Sequence, residues 1–334
     1  MKRARLEDIA RHTGLGIATV DRVLNGRGGV RPETARRVLE AARLLGASRV
    51  LPAPWRRLLR FDVVLVQSDS SFFRSLGQAF RTEAAAAGYP VSLHLTFLDK
   101  SDRAGLVRCI DAAAAVSQGL ALVAEDDPDI CMAIARAAKK QLPVVTLVTD
   151  LPGSVRIAYI GIDNFAAGRA AGWFISRTSS ARGDVLVVCG DPAYSGHAER
   201  LAGFRSALAT YAPGLTLREV LIGHDDPAIT HERLRSVLPS YPALAGFYNT
   251  GGAVAAAAEA LGAAGLDTTI HVAHEMTPTN AALLRAGRLH LAIDQNPALQ
   301  ARRALSWLQA ACGLSAPPTD MAVPFSLHGP ENIR

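Results

Sequence analysis

The residues best placed to do chemistry lie in Ile17–Asn25, IATVDRVLN. Read as a helix, this stretch puts Val20, Val23 and Leu24 on one face and Ile17, Ala18, Asp21 and Arg22 on the other, one turn apart. The outward set has the groups that read base edges in DNA. A guanidinium such as Arg22 donates to guanine O6 and N7, while Ile17 and Ala18 suit thymine methyls. Asp21 is expected to accept from a cytosine amino group or to pair with Arg22, and Thr19 and Asn25 complete the candidate DNA contacts. Reaction chemistry has no comparable support. His274-Glu275 opens like the H-E-x-x-H of zinc proteases, but Pro278 stands where the second histidine must be. His271 and His274 are three apart in a strand-like run, which points them to opposite faces. Tyr194-Ser195-Gly196 lacks the G-x-S-x-G frame of a hydrolase elbow, and no P-loop is present. A binding protein without catalytic residues, metal or cofactor is therefore expected.

Three short helical patterns must position the base-reading face. Leu6, Ile9, Ala10 and Thr13 recur at helical spacing, with Glu7 and Asp8 in the first turn, where the helix dipole favours negative charge. Gly14-Leu15-Gly16 is a three-residue turn before the second helix, the helix-turn-helix arrangement whose second helix enters the major groove. Ala35, Val38, Leu39 and Ala42 form the inward stripe of a third helix, with Pro32 suited to its first turn. Charge agrees with this placement. Residues 1–60 hold 14 Lys/Arg against 5 Asp/Glu, whereas the remainder holds 22 against 25. The whole basic excess thus sits beside the helix-turn-helix, as phosphate contacts require.

The run LEDIARHTGLGIATVDRVLNGRGGVRPETARRVLEAARLLG resembles the DNA-binding head of the LacI family of bacterial transcription regulators. DIA, the turn, ATV-x-RVLNG and V-x-PETARRVLEAA fall in register with it. Residues 1–46 are expected to form this head and 47–60 a linker. In the family the linker carries a hinge helix that folds on the operator and wedges leucines into the minor groove. Here Pro52 and Pro54 break that pattern, leaving Trp55–Arg60 for one helical turn, with Leu58 or Leu59 as the wedge.

From Phe61 onward strand and helix patterns alternate. The first set runs from a strand at 61–66 through a helix at 74–87 to a short strand at 158–161. The second begins with a helix at 165–176 and ends in a strand at 289–293. Such alternation means βαβ units and parallel sheets covered by helices, and two groups mean two lobes. The region 61–334 resembles the type I periplasmic sugar-binding proteins, ribose-binding branch, the fold of LacI-type effector domains. The resemblance implies three crossings between lobes, placed near 161–164, 294–297 and 316–322. Lobe one is then 61–161 with 295–316, and lobe two 162–294 with 317–334. The expected fold is an all-α head on a bilobal α/β domain.

Ligands of open parallel sheets bind beyond the carboxyl ends of the strands. After the first strand comes Ser70-Ser71-Phe72-Phe73, where the resemblance implies a polar residue and two rings that stack on sugar faces. After 143–147 the family places an Asp-Arg pair, which is absent here; Asp150 either supplies the carboxylate two residues late or caps the loop. Asp163-Asn164 reads either as a helix N-cap or as a ligand contact. Arg200, before Leu201-Ala202-Gly203-Phe204, matches the family arginine that holds sugar hydroxyls, and its fixed fork of five donors suits adjacent hydroxyls. Asn249 aligns with a ligand amide, Glu275 stands where an aspartate is usual, and Gln295 matches a hinge glutamine with Asp294 beside it.

Cys109, Cys131, Cys189 and Cys312 are scattered without C-x-x-C spacing and suit a reducing compartment. Met1-Lys2-Arg3 leads into a polar helix rather than a signal peptide, and no apolar run reaches the length of about 18 residues that spans a membrane. A cytoplasmic homodimeric repressor is the expectation, with operator DNA and a carbohydrate-like effector as partners. The alternatives are a sugar-binding protein without DNA and an enzyme on a similar scaffold.

Overall fold

The computed structural model describes residues 5–25, 27, 29–47, 58–68, 71–87, 90–319 and 322–333. Ser70 and linker residues 48–57 lie outside them.

The head is three helices: α1 (Leu6–Thr13), α2 (Ile17–Leu24) and α3 (Pro32–Leu44). Gly14, at φ 67°, ends α1 in the left-handed conformation and donates to the Ala10 carbonyl, a turn glycine adopts without Cβ strain. Ile9, Ala10, Val20, Val23, Leu24, Val38, Leu39 and Ala42 are all buried, so the periodic stripes do meet. Each buried Val, Leu or Ile contributes roughly 1.5–3 kcal/mol, enough for a small core to hold three short helices. Arg37 Nη2 donates to the Thr13 carbonyl at 2.7 Å and ties α3 to the end of α1.

The remainder is two α/β lobes. The first sheet has the order β2-β1-β3-β4-β5, all parallel: β1 (Leu59–Gln67), β2 (Val91–Asp99), β3 (Gly119–Leu122), β4 (Val144–Leu147) and β5 (Ala158–Ile160). Its helices are α4 (Ser71–Ala85), α5 (Arg103–Val116) and α6 (Pro128–Lys139). Strands β1, β3 and β4 are almost wholly buried because helices cover both faces.

The chain then passes into the second lobe through α7 (Asn164–Thr178). Its sheet comprises β6 (Gly183–Cys189), β7 (Leu215–Ile222), β8 (Gly246–Asn249), β9 (Ile270–His274), β10 (Leu291–Asp294) and β11 (Ser326–His328). The order is β11-β10-β9-β8-β6-β7, parallel except for β11. Between these strands run α8 (Ser195–Tyr211), α9 (Pro227–Val237), α10 (Val254–Ala263) and α11 (Pro278–Arg285). A last helix, α12 (Pro297–Ala311), returns to the first lobe and packs on α4 before the chain comes back as β11. Neither α12 nor β11 was anticipated from the pattern.

Two boundaries need correction. Strand β1 starts at Leu59, not Phe61: Leu59 N–H donates to the Pro90 carbonyl at 3.0 Å, and Leu59 pairs with Val91. Leu59 and Arg60 are therefore committed to the sheet and unavailable for a hinge turn. Helix α4 starts at Ser71 rather than Arg74, which puts Phe72 and Phe73 in its first turn. Among the described residues, no helix is long and apolar enough to cross a membrane.

Candidate functional site

On α2 the outward residues are free to meet a partner. Ile17 is 49% exposed, a large apolar side chain left in water at a helix start, and Ala18, Arg22 and Asn25 are exposed. Thr19 is half-buried. Asp21 does not pair with Arg22. Its carboxylate accepts from Asn25 Nδ2 at 2.7 Å and meets Arg27 Nη1 at 3.1 Å, so Asp21 and Asn25 hold each other. Leu58 precedes β1 and is 60% exposed.

The second site is a cavity of about 520 Å³ between the carboxyl ends of the two sheets. Phe72, Phe73, Arg200, Glu275 and Gln295 line it. The Phe72 and Phe73 rings meet edge to face at 5.2 Å, with Phe72 buried and Phe73 half-buried. Two expected residues are elsewhere. Asp150 bonds Arg156 Nη2 at 2.5 Å and the Leu151 N–H at 2.8 Å, so the nearby arginine and the loop backbone consume its carboxylate. Asn249 is fully buried and spends both ends on its own turn, donating to the Gly252 carbonyl at 2.9 Å and accepting from the Gly251 N–H at 3.0 Å.

Arg200 is held before any ligand arrives. Its Nε donates to Asn164 Oδ1 at 2.8 Å and its Nη1 to the Thr250 carbonyl at 2.7 Å. Asn164 is itself placed by contacts with Tyr159 and Val148. Asp163 caps α7 through the Ala166 N–H at 2.8 Å, so the Asp-Asn pair divides into a cap and a positioning residue. Helix α8 brings Arg200 into place because α7 approaches it at backbone distance. A Cβ on Gly168 would lie 2.0 Å from the Arg200 carbonyl oxygen, and one on Gly203 would lie 2.0 Å from that of Phe165.

The floor of the cavity is His274, Glu275 and Gln295, from the ends of β9 and β10. Asn280 Nδ2 bonds both the His274 and Glu275 carbonyls at 2.8 Å and fixes the turn. Gln295 Nε2 donates to Glu275 Oε1. Three buried atoms of this floor have no hydrogen-bond partner among the described residues: His274 Nδ1, Glu275 Oε2 and Gln295 Oε1. Unpaired buried polar atoms cost stability, so a set of three beside a cavity marks a place where a ligand's hydrogen bonds are missing. Burial pushes Glu275 up to about 8 against the favourable field of Arg200, so it is protonated at neutral pH. Burial also holds His274 well below its ordinary value, and Tyr248 Oη lies 2.8 Å from its Nε2. Among the described residues the buried Tyr248 hydroxyl has no other acceptor, so its proton goes to Nε2 and leaves the proton of the neutral ring on Nδ1.

Backbone strain gathers here too. Among the described residues, seven non-glycine residues have positive φ, and five of them (Val148, His224, Asp225, Ala253 and Glu275) line the cavity. For Val148, at φ 66°, the left-handed region is a genuine outlier because its branched Cβ crowds the backbone. Strain of this kind persists where the surroundings over-determine the geometry, commonly at ligand sites. His197, His274, Asp225 and Thr149 are cavity residues missing from the sequence-based set; only their positions after strand ends pointed to them. The lobes touch across the cleft: Thr149 Oγ1 and Ser195 Oγ are 2.9 Å apart, and Lys100 Nζ donates to the His224 carbonyl.

Comparison with known proteins decides the family. Residues 61–314 match the periplasmic binding protein domain, and residues 5–46 match the bacterial regulatory proteins of the lacI family. The chain belongs to the periplasmic binding protein domain family and carries a lacI-family head. No curated protein matches it in sequence. Among solved structures, the regulator is similar to an ABC transporter solute-binding protein of Burkholderia graminis in complex with D-arabinose, at 22% identity and a TM-score of 0.76 over 83% of this chain and 97% of that one. GanP, a glucose-galactose binding protein from Geobacillus stearothermophilus, is 20% identical, with a TM-score of 0.75 over 83% of this chain and 99% of that one. A solute-binding protein of Actinobacillus succinogenes with bound D-allose is 18% identical, with a TM-score of 0.75 over 82% and 98%. The regulator is thus a DNA-binding protein with a bilobal effector-type domain.

Proposed function

We propose that this regulator is a repressor, a cytoplasmic homodimer whose hold on operator DNA is set by a small carbohydrate or related polyol bound between its lobes. The observation that carries this reading is the cavity floor, where three buried polar atoms stand unpartnered beside Arg200 and the Phe72–Phe73 edge, in a chain whose α2 leaves Ile17 and Arg22 exposed. Hydroxyls both donate and accept, and the C–H faces of a sugar suit aromatic rings, so one ligand class answers the whole set. The sugars bound by the structural neighbours favour the same class. Phe72, Phe73, Arg200, Glu275 and Gln295 are assigned to the effector, and Ile17, Ala18, Thr19 and Arg22 to DNA. Ser70 stays with the effector set by position alone, and Leu58 with the minor groove. The working division is head 1–46, linker 47–58 and effector domain 59–334, the expected linker boundary at 60 moving back to where β1 begins.

Dimerisation follows from DNA geometry, since one recognition helix reads few base pairs and symmetric half-sites supply specificity. A ligand gripping both lobes shifts the closure equilibrium only by its differential affinity for the closed form, and closure in a dimer changes the spacing of the heads. Filter binding with genomic fragments, with and without pentoses, hexoses, polyols and cyclitols, tests the reading. We expect a palindromic fragment released or tightened by one sugar, and Arg200→Ala should weaken that response ten- to a hundredfold. Absence of selective DNA binding refutes the regulator reading, and formation of product from the bound sugar refutes a purely binding role.

A further inference from the structure

We propose that Asp225 is the charge filter of the effector cavity: its carboxylate, set against His197, selects an uncharged polyhydroxylated ligand and turns away phosphorylated and carboxylated ones. This rests on the reading that the cavity takes a carbohydrate.

The placement of Asp225 is built rather than incidental. Strand β7 ends at Ile222, and His224 and Asp225 follow at φ 53° and 57°, two consecutive residues in a region that a Cβ disfavours. Space is cleared around them. A Cβ on Gly251 would lie 2.2 Å from Asp225 Oδ1, and one on Gly190 would lie 2.5 Å from both Asp225 Oδ1 and His197 Cε1. Asp225 Oδ1 accepts from the Gly252 N–H at 2.7 Å, while Oδ2 lies 3.6 Å from His197 Nε2. His197 Nδ1 is 3.1 Å from Thr250 Oγ1, so the imidazole is oriented from behind.

No cation sits on this carboxylate: among the described residues, no Lys or Arg lies within 4.0 Å of Asp225. Burial holds His197 below its ordinary value against the pull of Asp225, so the ring is neutral at physiological pH and gives no positive charge. Asp225 therefore faces the cavity as an anion that one backbone N–H and one neutral ring have to satisfy.

The rest of the wall does not offset it in favour of anions. Among the described residues, the ionised ones lining the cavity are Arg74, Lys100 and Arg200 against Asp99, Asp225 and Asp226. The balance is zero, whereas a phosphate monoester brings nearly two negative charges and must leave its water behind. Arg200 alone is a poor anion clamp, since Asn164 and Thr250 already occupy two of its nitrogens. A neutral polyol meets the same wall at no charge-desolvation cost. It donates hydroxyls to Asp225 and Gln295 and accepts from Arg200 and His274.

The test is calorimetry on the full chain with neutral sugars and their charged counterparts: D-glucose, D-galactose and D-arabinose, then glucose 6-phosphate and galacturonate. We expect at least one neutral sugar to bind at least thirtyfold more tightly than its charged counterpart. Raising sodium chloride should narrow that gap, as charge repulsion is screened. Asp225→Asn keeps an acceptor for the Gly252 N–H and should narrow the gap at least fivefold. Should the variant fail to fold by circular dichroism, the wild-type series and its salt dependence decide. A gap untouched by salt, full discrimination in Asp225→Asn, or tight binding of a charged sugar overturns the filter and leaves the carbohydrate reading intact. Binding by none of these sugars, charged or neutral, overturns both.

Discussion

Glu275 links the cavity to stability in a way that can be measured without knowing the effector. Its pKa rises from 4.5 to about 8 because the side chain is buried, with Arg200 opposing the rise and Asp294 adding to it. Between those values the folded protein holds a proton that the unfolded chain has released. Folding stability must then fall as pH rises through that window, and the loss is complete above the folded pKa. At about 1.4 kcal/mol per pH unit the change is on the order of 5 kcal/mol, an upper figure because a buried carboxylate draws in water when it ionises. His271 and His274, buried and held neutral, act in the opposite sense at lower pH, so the wild-type curve alone mixes several groups. Glu275→Gln separates them. The amide is isosteric with the protonated acid and keeps a partner in Gln295, whose Nε2 already donates to position 275. Urea unfolding followed by circular dichroism from pH 5 to pH 9 should show the two proteins alike at the acid end, and the variant more stable by several kcal/mol at the alkaline end. A difference between them that stays flat across the range would refute the buried, protonated carboxyl.

Three further outcomes are expected. Arg22→Ala should cost about 1–3 kcal/mol of preference for operator over random DNA, read by competition in filter binding. Asn164→Ala removes the acceptor of Arg200 Nε and should destabilise the protein by about 1.5–3 kcal/mol, with a ligand affinity loss seen by calorimetry; an unchanged ligand affinity would show that Arg200 needs no such brace. Gly203→Ala drives a methyl against the Phe165 carbonyl oxygen, 2.0 Å away, and should cost at least about 1–3 kcal/mol because backbone cannot step aside as a side chain does, measured as a lowered urea midpoint.

Local pattern determined the head and the class of fold. The stripe Val20, Val23, Leu24 needs only helical periodicity to be read, and all three are buried as that periodicity requires. The alternation of buried strand runs with helical runs likewise specified two parallel sheets, because covering both faces of a strand demands continuous apolar sequence. Arg200, in the second turn of the helix after β6, was legible through its match to the family's loop-to-helix element, and strand ends converge on one cleft as such sheets require.

What tertiary structure alone decided is how each polar group is spent. Asp150 and Asn249 follow strands as Glu275 does, yet Arg156 captures the first and the turn at Gly251–Gly252 uses the second. Asp225 and His197 are distant in sequence and meet only because β6, β7 and β8 lie side by side, with glycines from two loops leaving them room. The positive φ of Val148 and Glu275 has no local signature, because neither residue type prefers it and packing imposes it. Periodicity reports which face of an element is buried. Which hydrogen-bonding groups remain for a ligand depends on competition among partners that only the folded chain brings within reach.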